Sequence, residues 1–314
     1  MTISLLEPLL RSGRHGRGSG GGPSGACPHC GAREDSWPVA GSRETAPFVC
    51  VACGGLVGPD GEALRICPAC AFPEPAAGGG ASCRGAERLD GPAAGTRSRE
   101  LALEAEAAAA DLFELREEAA LGRYLAGVRE QLEGEAGPVR FIDMGEPAVA
   151  TLPGGLLLVS LGLLATLEDE AQLAFVLARE AALERAGWVW RRFAAAARSR
   201  RGWLAGWTRG GRSRLADAIE LSLFVGYGSA AEQAADREGL AALVRAGYDP
   251  EASVRALRAM ESATLAGRGA RFLLGAERAT WLAEGSEALG RTDSARLNRE
   301  VYRRVVGGFN VFGR

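Results

Sequence analysis

From Ser98 onward the apolar positions keep helical time. Leu101, Ala105, Ala108, Leu112, Leu115, Ala119, Leu125, Val128 and Leu132 recur mostly at three- and four-residue steps, which predicts one amphipathic helix. Two short β-like runs follow, Val139–Met144 and Leu156–Ser160, with Pro153-Gly154-Gly155 as a turn before the second. A further helix is expected from near Asp169 past Arg185, with Arg179, Glu180 and Glu184 as solvated charges on it. Helices then continue through 213–262, broken at Gly247-Tyr248-Asp249-Pro250. There Gly247 can end one helix in a left-handed conformation, Asp249 can cap the next, and Pro250 fits its first turn. The pattern predicts a mostly α fold with a small β-sheet.

The first 97 residues have a different texture. Residues 1–26 are rich in Arg and Gly and aperiodic, and read as a flexible arm. Residues 27–71 hold six of the seven cysteines, and the Pro/Gly/Ala-rich stretch 72–97 reads as a linker to a main domain over 98–314. A chain of 314 residues, 47% hydrophobic and 24% charged, fits one main globular domain with an appendage. The net charge of −2 gives no overall attraction to nucleic acid or anionic lipid. Every basic side chain other than His15 and His29 is Arg, and Asn stands only at 298 and 310, as GC-rich codon usage would leave it. No transmembrane span is expected: the longest apolar candidate, Leu156 to Leu167, is interrupted by Ser160, Gly162 and Thr166. Glu7 and Pro8 break the short apolar stretch at the start, a poor secretion signal, so a cytoplasmic location is expected.

The cysteines carry the first candidate chemistry. Cys27-x2-Cys30, Cys50-x2-Cys53 and Cys67-x2-Cys70 each place two thiols on a tight turn, and Cys83 follows alone. Two such turns supply the four thiolates of a tetrahedral structural zinc, in a segment too small to fold on apolar burial alone. Pairing 27/30 with 50/53 gives zinc-ribbon spacing. Pairing 50/53 with 67/70 gives a rubredoxin-like ribbon with a GPDG turn between the two turns. Both pairings use Cys50 and Cys53, and the sequence leaves the choice open.

The main domain contains no histidine, since the two in the chain are His15 and His29. Its order of motifs nevertheless resembles a known family. Pro153-Gly154-Gly155, Gly162-Leu163-Leu164, Asp169-Glu170, then Glu232, Ala235-Asp236-Arg237, Gly239 and Gly247 to Pro250 follow the plan of the gluzincin metallopeptidases of the HtpX and BepA type, which include the CAAX prenyl protease. The resemblance covers about residues 117–260. It implies a zincin-like α+β domain in which Glu180 matches the general base, Glu232 the third zinc ligand and Asp236 a supporting acid. The two zinc-binding histidines of the family fall on Arg179 and Leu183, and the Asn usual before its PGG turn falls on Ala148. A protonated guanidinium and a hydrocarbon offer zinc no lone pair.

The expectation is therefore a degenerate site without catalytic zinc, in which Arg179 pairs with Glu232 or Asp236 where the ion would sit. Three other outcomes stand beside it: Arg179 snorkelling to solvent, an oxygen site for Mg or Ca at Glu180, Glu184, Glu232 and Asp236, and a working zinc peptidase with other ligands.

Between the two motif helices, residues 188–214 hold Trp188, Trp190, Trp203 and Trp207 and eight Arg with no acid, for a charge of +8 against −10 elsewhere. Interleaved Trp and Arg, with Arg191 and Arg192 beside the first pair, suit a membrane surface or nucleic acid; the same Trp residues also suit a core. Taken together, the sequence predicts a catalytically inactive peptidase-like protein that binds a protein or peptide partner. An extended peptide adding to its sheet edge is one mode. An adaptor acting through the ribbon and the basic segment is another.

Overall fold

The computed structural model describes residues 48–49, 56–58, 61–77, 96–132, 137–198, 214–265, 276–289 and 295–309. The N-terminal arm, Cys27, Cys30, Cys50, Cys53, Cys83, Trp203, Trp207 and most of the expected linker lie outside these residues.

Four short strands come first: β1 (Phe48–Val49), β2 (Leu56–Val57), β3 (Ala63–Ile66) and β4 (Pro73–Pro75), paired antiparallel in that order. The sheet runs on through Pro75, so the segment expected to begin the linker at residue 72 forms a strand instead. The edge position of β4 lets it carry two prolines, which have no amide to donate.

The stretch expected as one helix is two, α1 (Thr96–Leu112) and α2 (Ala119–Gln131), with a strand, β5 (Leu115–Arg116), between them. Pairing of Leu115 and Arg116 with Ile142 and Phe141 outweighs helix continuation there, aided by an Arg116–Asp143 ion pair of 3.0 Å. Strand β6 (Val139–Ile142), strand β7 (Val149–Thr151) and strand β8 (Leu157–Ser160) complete a second sheet of order β5-β6-β8-β7. The two expected strands are present, and β7, which no apolar run announced, forms the edge.

Ser160 ends β8 and caps α3 (Leu161–Thr166), its Oγ accepting from the Leu163 amide at 3.0 Å. Asp169 caps α4 (Glu170–Arg185) in the same way, through the Gln172 amide at 2.9 Å. Then come α5 (Trp188–Arg198), α6 (Arg214–Glu220) running into a π-helical turn over Leu221–Val225, α7 (Ser229–Arg245), α8 (Glu251–Leu265), α9 (Ala276–Leu289) and α10 (Arg299–Gly307). The described chain is thus mostly helical with two small sheets.

Helix α4 is the axis. It is buried from Glu170 through Glu180 and again at Ala182 and Leu183, so Glu170, Arg179 and Glu180 are interior, not solvated as expected, while Glu184 is half-buried. A helix buried all round must bond every polar group it carries. Glu170 does so at its start, accepting from the hydroxyls of Tyr124 at 2.7 Å and Tyr248 at 2.8 Å and from the Asn298 amide. These bonds tie α2, the turn after α7 and the segment before α10 to one carboxylate. Toward its other end Arg179 and Glu180 make buried side-chain bonds of their own.

Candidate functional site

Helices α4 and α7 pack tightly where Gly239 faces Arg179. A Cβ at Gly239 would lie 2.9 Å from Arg179 Cγ and 3.3 Å from its backbone nitrogen, so only glycine fits this contact. The close approach brings Glu232 and Asp236, one turn apart on α7, against the Arg179 side chain.

Arg179 points inward, and its side chain is wholly buried. Its Nη2 donates to Glu232 Oε2 at 2.6 Å, and its Nε donates to Asp236 Oδ1 in a short contact. It does not snorkel. Burial by itself would lower the Arg179 pKa, but Asp236, Glu232 and Glu180 together hold it above its ordinary value. Asp236 has a second cation: Arg278 on α9 donates from Nε to Oδ2 at 2.5 Å and from Nη2 to Oδ1 at 2.9 Å. Burial pushes the Asp236 pKa up, and the two guanidinium groups overcome it, so the net shift is downward.

Each of the other carboxylates reaches backbone. Glu232 Oε1 accepts from the Tyr227 amide at 2.9 Å. Tyr227 is set between Gly226 and Gly228, both at positive φ (78° and 86°), a bend that L side chains rarely adopt. Glu180 Oε2 accepts from the Thr151 amide at 3.1 Å, joining the residue that matches a general base to the edge strand β7. Leu183 is 1% exposed and packs with Ala182, Phe193, Ile219 and Leu223 in an apolar cluster.

The structure therefore brings Arg179, Glu180, Glu232 and Asp236 together and sends Leu183 into the core. The oxygen-ligand alternative is not supported. Among the described residues no three His, Cys, Asp or Glu side chains are gathered to hold an ion. Ala148, at the expected Asn position, is fully buried, and its amide donates to Ser160 Oγ at 2.8 Å.

Arg278 was not foreseen. Its signal in the sequence is slight: it lies four residues before Leu282, a buried position, and so shares the inward face of α9.

Two cysteines of the N-terminal module are described. Cys67 and Cys70 stand on the turn between β3 and β4, where the Ala71 amide donates to Cys67 O and the Cys67 amide to Phe72 O, both at 2.8 Å. Ala71 holds φ at 58°, a left-handed conformation that costs a non-glycine residue about 1–2 kcal/mol. Gly31 and Gly54 occupy the corresponding position after the other two Cys-x2-Cys pairs. Such a turn suits a pair of thiolates on one tetrahedral ion, and the residues fit a zinc half-site.

Arg192, read as part of an interface, is fully buried and serves the interior. Its Nε donates to Ala71 O at 2.9 Å, its Nη2 to Gly226 O at 2.6 Å and its Nη1 to Ser222 Oγ at 3.2 Å. Its guanidinium also covers the Tyr227 ring at 3.9 Å. Trp188 and Trp190 are half-buried against the same apolar cluster, and Arg191 stacks on Trp188 at 4.3 Å. Burial lowers the Arg191 pKa.

Comparison with protein-family models and with curated proteins returns no match.

Proposed function

We propose that this chain is a catalytically silent protein built on a gluzincin-type metallopeptidase plan, with a zinc-stabilised cysteine module, and that it works by binding a protein or peptide. The observation that carries this reading is the Arg179 guanidinium. It lies between Glu232 and Asp236, the positions that would hold and support zinc in a peptidase of that plan, and supplies the positive charge itself. Leu183 offers hydrocarbon at the other ligand position. A fold that keeps its core and replaces its metal ligands retains surfaces for binding while losing the activated water of hydrolysis.

Addition of a peptide to the sheet edge is not the favoured mode. Val149, Ala150 and Thr151 are all buried, with the Leu221–Val225 turn packed against them. No described helix is long and apolar enough to cross a membrane.

For the cysteine module, strand order favours one ligand pairing. In a four-strand antiparallel meander the β1–β2 and β3–β4 connections fall at the same end. Cys67 and Cys70 are on the second connection, and Cys50 and Cys53 belong in sequence to the first. This supports 50/53 with 67/70, the rubredoxin-like arrangement.

Two measurements on the full chain test the reading. Zinc per chain, by elemental mass spectrometry, is expected to fall to zero in a Cys50→Ser/Cys53→Ser/Cys67→Ser/Cys70→Ser variant. Hydrolysis of unfolded casein is expected at background with zinc added. One zinc retained by the cysteine variant, together with hydrolysis abolished by Glu180→Gln, would establish a working peptidase instead.

A further inference from the structure

We infer that Arg192 couples the Cys67–Phe72 turn to the guanidinium-filled centre, so that the metal state of the cysteine module sets the order of the Glu232 end of that centre. The inference rests on reading the module as a metal site, and its test separates the two.

The path consists of named bonds. The Ala71 carbonyl, one residue after Cys70, accepts from Arg192 Nε at 2.9 Å. The other end of the same guanidinium donates to Gly226 O at 2.6 Å, and its Nη1 to Ser222 Oγ at 3.2 Å. Ser222 Oγ lies 3.1 Å from Tyr227 Oη, and the Arg192 guanidinium covers the Tyr227 ring. The Tyr227 amide donates to Glu232 Oε1 at 2.9 Å, and Glu232 Oε2 accepts from Arg179. Thus one planar cation bridges the cysteine turn and the bend that orients a carboxylate of the centre.

Planarity makes the bridge stiff. The donors of a guanidinium lie in a fixed fork, so moving one acceptor rotates the others. Ala71 is the movable acceptor. It is held in the left-handed region, a conformation that persists only while its surroundings enforce it. Thiolates of Cys67 and Cys70 fixed on one ion would enforce it. Without the ion the turn can relax toward ordinary φ, which swings the Ala71 carbonyl away from Arg192 Nε. The buried cation then seeks another acceptor and draws on Gly226 and Ser222. Apolar contact accompanies the path, since Ala71 and Phe72 pack in the same cluster as Phe193, Leu223 and Tyr227.

The experiment is hydrogen exchange by mass spectrometry on the full chain, zinc-loaded and chelator-stripped. A peptide spanning 221–237 is compared with a control peptide in Ala119–Gln131. Stripping is expected to speed exchange of the Tyr227 amide at least tenfold and to change the control less than twofold. Zinc-loaded Arg192→Lys, with wild-type zinc content, is expected to exchange as the stripped wild type does. A wild type that binds no zinc overturns the metal reading and the inference with it. A wild type that binds zinc yet shows equal Tyr227 exchange in both states overturns the coupling alone, as does Arg192→Lys with wild-type protection. Where Arg192→Lys unfolds, shown by the control peptide, Ser222→Ala decides: about threefold faster Tyr227 exchange supports the path, and no change overturns it.

Discussion

Arg179 has three carboxylates around it and no exposed surface, so its replacement tests the centre directly. Arg179→Met is expected to destabilise the protein by about 3–5 kcal/mol at pH 7, because it leaves Glu232 and Asp236 buried with less compensating charge. Urea unfolding measures this. Acid shows the sign of the coupling. The folded Asp236 pKa is depressed, so its stabilisation is complete above about pH 4, the unfolded range, and is lost as pH falls through the folded value. In Arg179→Met burial of the carboxylates favours protonation, so the gap to wild type should narrow between pH 7 and pH 4. An unchanged gap would mean that Arg179 does not hold these carboxylates in their charged form. Glu180→Gln keeps an oxygen for the Thr151 amide and is expected to cost under about 1 kcal/mol.

At the scale of elements, the contact between α4 and α7 depends on one missing side chain. Gly239→Ala places a methyl group 2.9 Å from Arg179 Cγ, and the helices must part or the guanidinium must move. The expected cost is about 1–3 kcal/mol in thermal or chemical unfolding, despite the better helix propensity of alanine. A neutral result would show that α7 can shift without disturbing the ion pairs. The elements themselves were unevenly legible. The helix start near Asp169 and the strands at 139–142 and 157–160 follow from local residue types. The break at Phe113 did not show, because Leu112 and Leu115 keep helical spacing while pairing to β6 claims Leu115 and Arg116 for a sheet. Strand β7 was hidden for a related reason. Val149-Ala150-Thr151 is too short to have a period, and register with Leu157–Val159 makes it a strand.

At the scale of the molecule, the cysteine module and the helical domain share a core. Phe72 is 9% exposed and belongs to the cluster that also contains Leu183 and Phe193. Phe72→Ala is expected to cost about 3 kcal/mol, and zinc removal to lower the melting temperature of the full chain in a single transition. Two separate transitions, with the helical one unmoved by chelation, would indicate that the module is only tethered. The basic segment divides at the same scale. Its described part contributes Val189, Phe193 and Arg192 to the interior, while Trp203 and Trp207 lie outside the described residues.

What the sequence determined by itself was chemistry that needs only residue identity and local spacing. The absence of histidine after residue 29, the Arg and Leu at two ligand positions, and the helical periods are of this kind. Tertiary structure decided which charges are buried and what they meet. The charges of α4 read as solvated because an isolated helix offers no way to know that both of its sides are covered. Only when α7, α9 and β7 pack around it do Arg179, Asp236, Arg278, Glu180 and Thr151 fall within bonding distance. Likewise Arg192 looked like a surface charge among other arginines. Its partner carbonyls at Ala71 and Gly226 lie 121 and 34 residues away, and a carbonyl is carried by every residue, so no side-chain pattern could mark them.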